Sequence, residues 1–218
     1  MKKQYAVIGM GRFGSSVAAT LYNAGNEVLA IDRNEEHIED YKNSVTYAVI
    51  GDSTDEATMK EVGIRNFDTV IVAIGDDIQS SILTVLLLKE LGVNNVVAKA
   101  LNKHHGQVLS KIGADKVIFP EKDMGERLAH QLMASPNVLN FIEFADDYSI
   151  EEIKVPKSME GKTLKDLDLR ADHNVIVVAI KEKDKINIAP GPEETLNTDD
   201  VLFVVGENTD LEKFSSIN

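Results

Sequence analysis

Gly9-Met10-Gly11-Arg12-Phe13-Gly14 is a GxGxxG run. That spacing lets a chain turn tightly off a strand, bring backbone amides up to a pyrophosphate and open a helix facing the phosphates. Gly9 supplies the turn, Gly11 the close backbone approach, and Gly14 the tight packing of helix on strand. Alone, the run is weak evidence. An acid follows where a sugar would lie: Asp32 closes the next β-rich run, about 18 residues beyond Gly14, where a carboxylate hydrogen-bonds ribose hydroxyls. The same charge repels a 2′-phosphate and so disfavours NADP. Arg33 and Asn34 follow it; Arg33 either softens that repulsion or belongs to a solvated surface pair.

Arg12 is the informative base, because a dinucleotide's diphosphate is already held by amides and needs no arginine inside the loop. Its place there favours a nucleotide with a free terminal phosphate, in this site or a neighbouring one. Ligands of doubly wound sheets sit beyond the carboxyl ends of the strands. Those ends carry Gly51-Asp52-Ser53, Ile74-Gly75-Asp76-Asp77 and Lys99-Ala100-Leu101-Asn102. Asp52 and Ser53 can receive an adenine edge and Lys99 can meet phosphate; equally, Asp52, Ser53 and Asp76 are residue types that cap helices. Glu121, after Pro120, fits a carboxylate sharing Mg²⁺ or Ca²⁺ with phosphates. It fits as well an acid stabilising a helix N-terminus.

A catalytic apparatus is hard to assemble from the rest. Of the five histidines, His37 and His130 read as helix-surface residues, His104-His105 opens a helix with His105 able to face a nucleotide, and His173 lies far downstream. No pair has HxxxH spacing, no Ser-His-Asp set is suggested, and no cysteine is present for thiol or metal chemistry. About 70 residues follow the nucleotide-binding part, small for a substrate domain. An NAD(H)-dependent oxidoreductase, an NADH-sensing regulator and a transcription regulator remain as alternatives to a non-enzymatic nucleotide sensor.

The elements that must position these residues alternate. Expected strands are Tyr5–Ile8, Val28–Ile31, Thr46–Ile50, Thr69–Ile74, Val96–Lys99 and Val117–Phe119. Expected helices are Ser15–Ala24, Glu35–Lys42, Glu56–Glu61, Ile78–Leu91 and His104–Lys111. Apolar strands separated by helices describe an α/β fold, a Rossmann-type doubly wound parallel sheet, over residues 1–120. Glu121–Ala134 reads as a helix, and the apolar run Val138–Phe144 packs either on a second subunit or within its own chain, so 121–146 is read as a linker and interface segment. From 147 to 218 a small α+β domain follows. Its expected strands are Ser149–Val155, Val175–Ile180, Ile186–Ala189 and Val201–Val205, with a polar turn at Glu182-Lys183-Asp184. A unit that small is expected to dimerise.

Bulk composition narrows the function classes. The chain has 218 residues, 43% hydrophobic and 27% charged, with a net charge of −13. That charge, without a dense Lys/Arg cluster, argues against nucleic acid and against anionic lipid as direct partners. No apolar run approaches the ~18 residues of a membrane span. The first residues enter a strand at once, leaving no room for a signal peptide. A cytoplasmic protein without direct membrane insertion is expected.

Ala6-Val7-Ile8-Gly9-Met10-Gly11-Arg12-Phe13-Gly14 with Gly51-Asp52-Ser53-Thr54-Asp55, Val72-Ala73-Ile74-Gly75 with Ile78-Gln79-Ser80-Ser81, and Lys111-Ile112-Gly113-Ala114-Asp115 with Pro120-Glu121-Lys122-Asp123-Met124 resemble the cytoplasmic regulators of bacterial potassium uptake. These Ktr/Trk-type subunits pair an N-terminal RCK (KTN) domain with a C-terminal RCK-C (TrkA-C) domain. The resemblance implies a homodimer assembling to an octameric ring beneath a membrane K⁺ channel subunit. It places the protein at the inner membrane face, switched by ATP and ADP. By position, Arg12 resembles the residue that senses the ATP γ-phosphate, Asp32 the ribose-binding acid and Glu121 the acid holding Mg²⁺ or Ca²⁺ near the phosphates. Lys99 and His105 match nucleotide-contacting positions, whereas Leu101 departs from the Gln or His common there. The small domain resembles those that bind cyclic di-AMP across a dimer groove, at Leu164, Asp168-Leu169-Arg170-Ala171, Asn174-Val175-Ile176 and Pro190. A plain dimer core with one interface arginine is the other reading of that region.

Overall fold

The structure, a computed structural model, describes residues 2–133, 135–145, 147–183 and 185–217. Ala134, at the end of one expected helix, Asp146, at the expected linker end, and Asp184, in the expected polar turn, lie outside the described residues. The chain divides into two compact units, Met1–Met124 and Gly125–Asn218.

The first unit runs β1 (Gln4–Ile8), α1 (Arg12–Asn23), β2 (Glu27–Asp32), α2 (Glu35–Tyr41), β3 (Tyr47–Ile50), α3 (Glu56–Glu61), β4 (Thr69–Val72), α4 (Ile78–Glu90), β5 (Val96–Lys99), α5 (Lys103–Lys111) and β6 (Lys116–Ile118). All six strands are parallel, in the order β3-β2-β1-β4-β5-β6. The order reverses between β1 and β4, which opens a crevice at their carboxyl ends. Both faces of the sheet are covered. Ala6, Ile8, Leu29 and Ile31 point into one apolar cluster with Leu88 and Leu109, while Val7, Val28 and Ala30 point into another with Met10, Ala18 and Ile38. A strand buried on both faces has no reason to alternate, which is why these runs are apolar throughout.

The helices start where side chains satisfy their free N–H groups. Asn34, Asp55, Asp77 and Asn102 accept from the backbone N–H groups of Glu36, Thr58, Ser80 and His105. The caps of α3 and α4 are thus Asp55 and Asp77. The capping reading of Asp52, Ser53 and Asp76 fails by one to three residues, leaving those three at the mouth of the sheet.

A helix α6 (Pro120–Met133) passes from the first unit into the second. The second unit holds β7 (Val138–Ala145), β8 (Tyr148–Lys154), α7 (Leu164–Leu167), α8 (Leu169–His173), β9 (Ile176–Glu182), β10 (Lys185–Ile188), β11 (Val201–Glu207) and α9 (Asn208–Ser215). Its sheet is antiparallel, in the order β10-β9-β11-β8-β7. Ile153, Val155, Leu169, Val175, Ile180, Leu196, Leu202, Leu211 and Phe214 form its core. The segment 138–145, expected inside a linker, is instead an edge strand of this sheet. Register shifts after Val138 and after Glu143 break its two-residue alternation, so its apolar residues follow no strand period.

Glu151, on β8, has one carboxylate oxygen without a hydrogen-bond partner and out of contact with solvent. Burial, and then the neighbouring Glu212 carboxylate, raise its pKa above the ordinary 4.5. An acid whose pKa is raised on folding favours the folded state when protonated, so stability falls as pH rises from about 4.5 through the folded value. Glu151→Gln is expected to raise the melting temperature at pH 7 and to change little at pH 4. Thermal denaturation across that range checks it; a variant less stable at pH 7 contradicts the assignment.

Candidate functional site

A cleft of about 300 Å³ opens past the carboxyl ends of β1 to β4. Gly9, Gly11, Asp32, Arg33, Asn34, Asp52, Ser53, Ile74, Gly75 and Asp76 all line it, joined by His37, Asp77 and Ser80. The glycine loop forms its wall in a way the chain itself explains only in part. Gly9 has φ +92°, a conformation that disfavours other residues. A Cβ on Gly14 would stand 1.8 Å from the Gly9 carbonyl oxygen, so α1 can lie flush against the loop only with glycine there. A Cβ on Gly11 would meet no atom of the protein within 4 Å. The bare backbone at Gly11 faces open space at the N-terminus of α1, a geometry that suits an anion held by amides.

Asp32 ties the wall together. Its Oδ2 accepts from the Met10 N–H at 2.6 Å and lies 3.1 Å from Nδ1 of His37; its Oδ1 accepts from the Asn34 N–H at 2.8 Å. His37, expected on the helix surface, is one turn into α2 and lines the cleft. No spacing rule pointed to it, because its role comes from how α2 folds back over the end of β2. Arg33 reaches Asp77 at 3.4 Å, an exposed pair of small energetic weight. Asp77 is held below the ordinary carboxylate range, first by the Ser80 hydroxyl and then by the Ser80 N–H. Ser53 is buried, its hydroxyl 2.7 Å from that of Thr84, while Asp52 is turned to the N–H and hydroxyl of Thr54.

The remaining expected residues gather beside the cleft. Lys99 is 8% exposed, yet its Nζ lies 2.6 Å from Oε1 of Glu121 and 5.8 Å from the centre of the Phe13 ring. The Lys99 hydrogen bond holds Glu121 below its ordinary range, and the charges of Lys99 and Arg12 add to it. Arg12 is exposed at the first turn of α1. His105 is 3% exposed; its Nδ1 faces the Leu101 N–H at 3.3 Å and burial lowers its pKa, so a neutral ring supports the loop from inside. Nε2 has no partner.

In the second unit, Leu169 and Val175 are spent on the core and Leu164 packs against it. Asp168, Arg170, Ala171, Asn174 and Ile176 stay exposed, with Pro190 half-buried.

The TrkA-N domain family matches residues 5–120 and the TrkA-C domain family residues 150–217. The chain is 47% identical to the Ktr system potassium uptake protein C of Bacillus subtilis (strain 168), over 98% of this chain and 96% of that one. It is 46% identical to the Ktr system potassium uptake protein A of the same organism, with the same coverage. The chain belongs to the Ktr potassium uptake family. A solved structure of the GsuK channel bound to NAD shares the fold, with a TM-score of 0.65 and 16% identity, covering 97% of this chain and 38% of that one. The cleft thus lies in the TrkA-N part of a chain with two matched domains, and no helix among the described residues is long and apolar enough to cross a membrane.

Gly14 and Gly11 separate fold from ligand. Gly14→Ala is expected to abolish cooperative unfolding of the first unit, because a backbone carbonyl occupies the space of the new methyl. Gly11→Ala should change stability by less than about 1 kcal/mol yet weaken nucleotide binding roughly tenfold or more. Melting curves and calorimetry on both variants check this.

Proposed function

We propose that this protein is the cytoplasmic regulatory subunit of a bacterial potassium uptake system, switched by adenine nucleotide bound as a ligand in the cleft of its first unit. One observation carries the reading. The space above Gly11 is empty of protein, lies at a helix N-terminus and is flanked by a carboxylate held ready for a sugar. Such a cradle suits a phosphate chain and ribose. The identity to Ktr proteins supports the role in potassium uptake.

In this reading Gly9, Gly11 and the first turn of α1 receive phosphate, Asp32 takes a ribose hydroxyl, and Asp52, Ser53, Ile74, Gly75 and Asp76 border the base. Lys99 and Arg12 stand at the phosphate end. No group of three or more His, Cys, Asp or Glu side chains among the described residues is placed to hold a metal. A Mg²⁺ or Ca²⁺ ion at Glu121 therefore needs phosphate oxygens among its ligands, and it would there neutralise phosphate charge. The chain is not an enzyme in this reading. ATP and ADP differ in their contact with Arg12, and a population shift needs only such a difference.

The subunit forms a homodimer that assembles into an octameric ring at the inner face of the membrane, docked on a K⁺ channel subunit. The exposed Asp168, Arg170, Asn174 and Ile176 leave part of the second unit open to cyclic di-AMP.

Calorimetry with ATP, ADP, NAD and NADH side by side tests the ligand. ATP and ADP are expected to bind more tightly than either dinucleotide; tightest binding to NADH overturns the reading. Arg12→Ala should bring the ATP and ADP affinities together, and an unchanged ratio removes Arg12 from the switch.

A further inference from the structure

We propose that Lys99 selects for nucleoside polyphosphates, and that Glu121 is the anion it must give up to do so. This rests on the adenine-nucleotide reading of the cleft. The Lys99 side chain is 10% exposed, and among the described residues the anion paired with its ammonium is Glu121 at 2.6 Å. A methyl placed on Gly75, a residue of the cleft wall, would lie 3.3 Å from Nζ, so the ammonium borders the cleft itself. The face of Phe13, from the glycine loop, lies on another side at 5.8 Å. The charge is therefore walled by the loop that receives phosphate, by the cleft and by Glu121.

A buried ammonium stripped of its counter-ion is strongly unfavourable. Lys99 is therefore favoured by an anion beside it, either the Glu121 carboxylate or phosphate oxygens. The two partners are unequal. The Glu121 side chain is 65% exposed and is hydrated when released, whereas the Lys99 side chain is only 10% exposed. A di- or triphosphate entering the cleft can replace Glu121 without leaving a bare charge; a nucleoside cannot. The exchange also frees Glu121 only after phosphate has arrived. That orders a divalent cation behind the nucleotide.

The test is calorimetry of the full chain in EDTA, with ATP, ADP and adenosine. Glu121→Gln removes the competing charge at an exposed position. It is expected to tighten ATP and ADP about three- to tenfold and to leave adenosine unchanged. Lys99→Met should weaken ATP and ADP and cancel the gain in the double variant, with melting curves confirming that each variant is folded. Unchanged or weaker ATP binding by Glu121→Gln overturns the exchange, as does equal tightening of adenosine. Where the wild-type chain binds ATP and Glu121→Gln does not improve it, the exchange alone falls. If neither form binds any nucleotide, the reading of the cleft falls and the exchange with it.

Discussion

The contact between Gly14 and the Gly9 carbonyl governs the first unit. With no room for even a methyl between them, α1 sits against the end of β1 at backbone distance. Its amide-bearing N-terminus is thereby aimed across the carboxyl edge of the sheet. The consequences spread outward. The loop is held close enough for the Met10 N–H to reach Asp32, Asp32 in turn fixes the start of α2 through Asn34, and α2 brings His37 to the rim. A cleft wall made of three segments is thus set by one steric fact.

Charge is distributed along that cleft in two regimes. Asp32, Asp52, Asp76 and Asp77 line it with Arg33, an acidic balance that suits hydroxyls and amines and repels extra phosphate. Lys99 borders that lining beside Phe13 and Glu121, and the Arg12 charge also acts on Glu121. A ligand with a neutral sugar and base at one end and concentrated negative charge at the other matches this polarity. The net charge of −13 does not oppose such a ligand, because the local arrangement rather than the total sets the field at the phosphates.

The first unit was readable because its rules are local. Strand positions follow from unbroken apolar runs and the loop from glycine spacing, while the caps of α3 and α4 lie one to three residues beyond the acids and serine offered for them; the strands and helices fall within a few residues of expectation. What escaped was long-range or irregular. His37 has no spacing relation to a motif and enters the site only through the path of α2. The edge strand 138–145 hides behind two register shifts, so its apolar residues read as surplus rather than as a strand. The helix Leu169–His173 starts from Asp168 at φ 33°, a backbone state that no apolar period announces. The Lys99–Glu121 pair joins β5 to α6, and each residue was legible alone while the bond between them was not.

Asp32 spends its two oxygens on Met10, Asn34 and His37 before any ligand arrives. A carboxylate offers about four acceptor sites, so roughly one is left for a sugar hydroxyl. In the proposed reading Asp32 both meets the sugar and braces the wall. Replacing it with asparagine would turn an N–H toward another N–H, and the loop and α2 would lose a shared anchor. In a genetic screen, lesions at this position would register as shortage of protein, and its part in recognition would stay hidden behind its part in assembly.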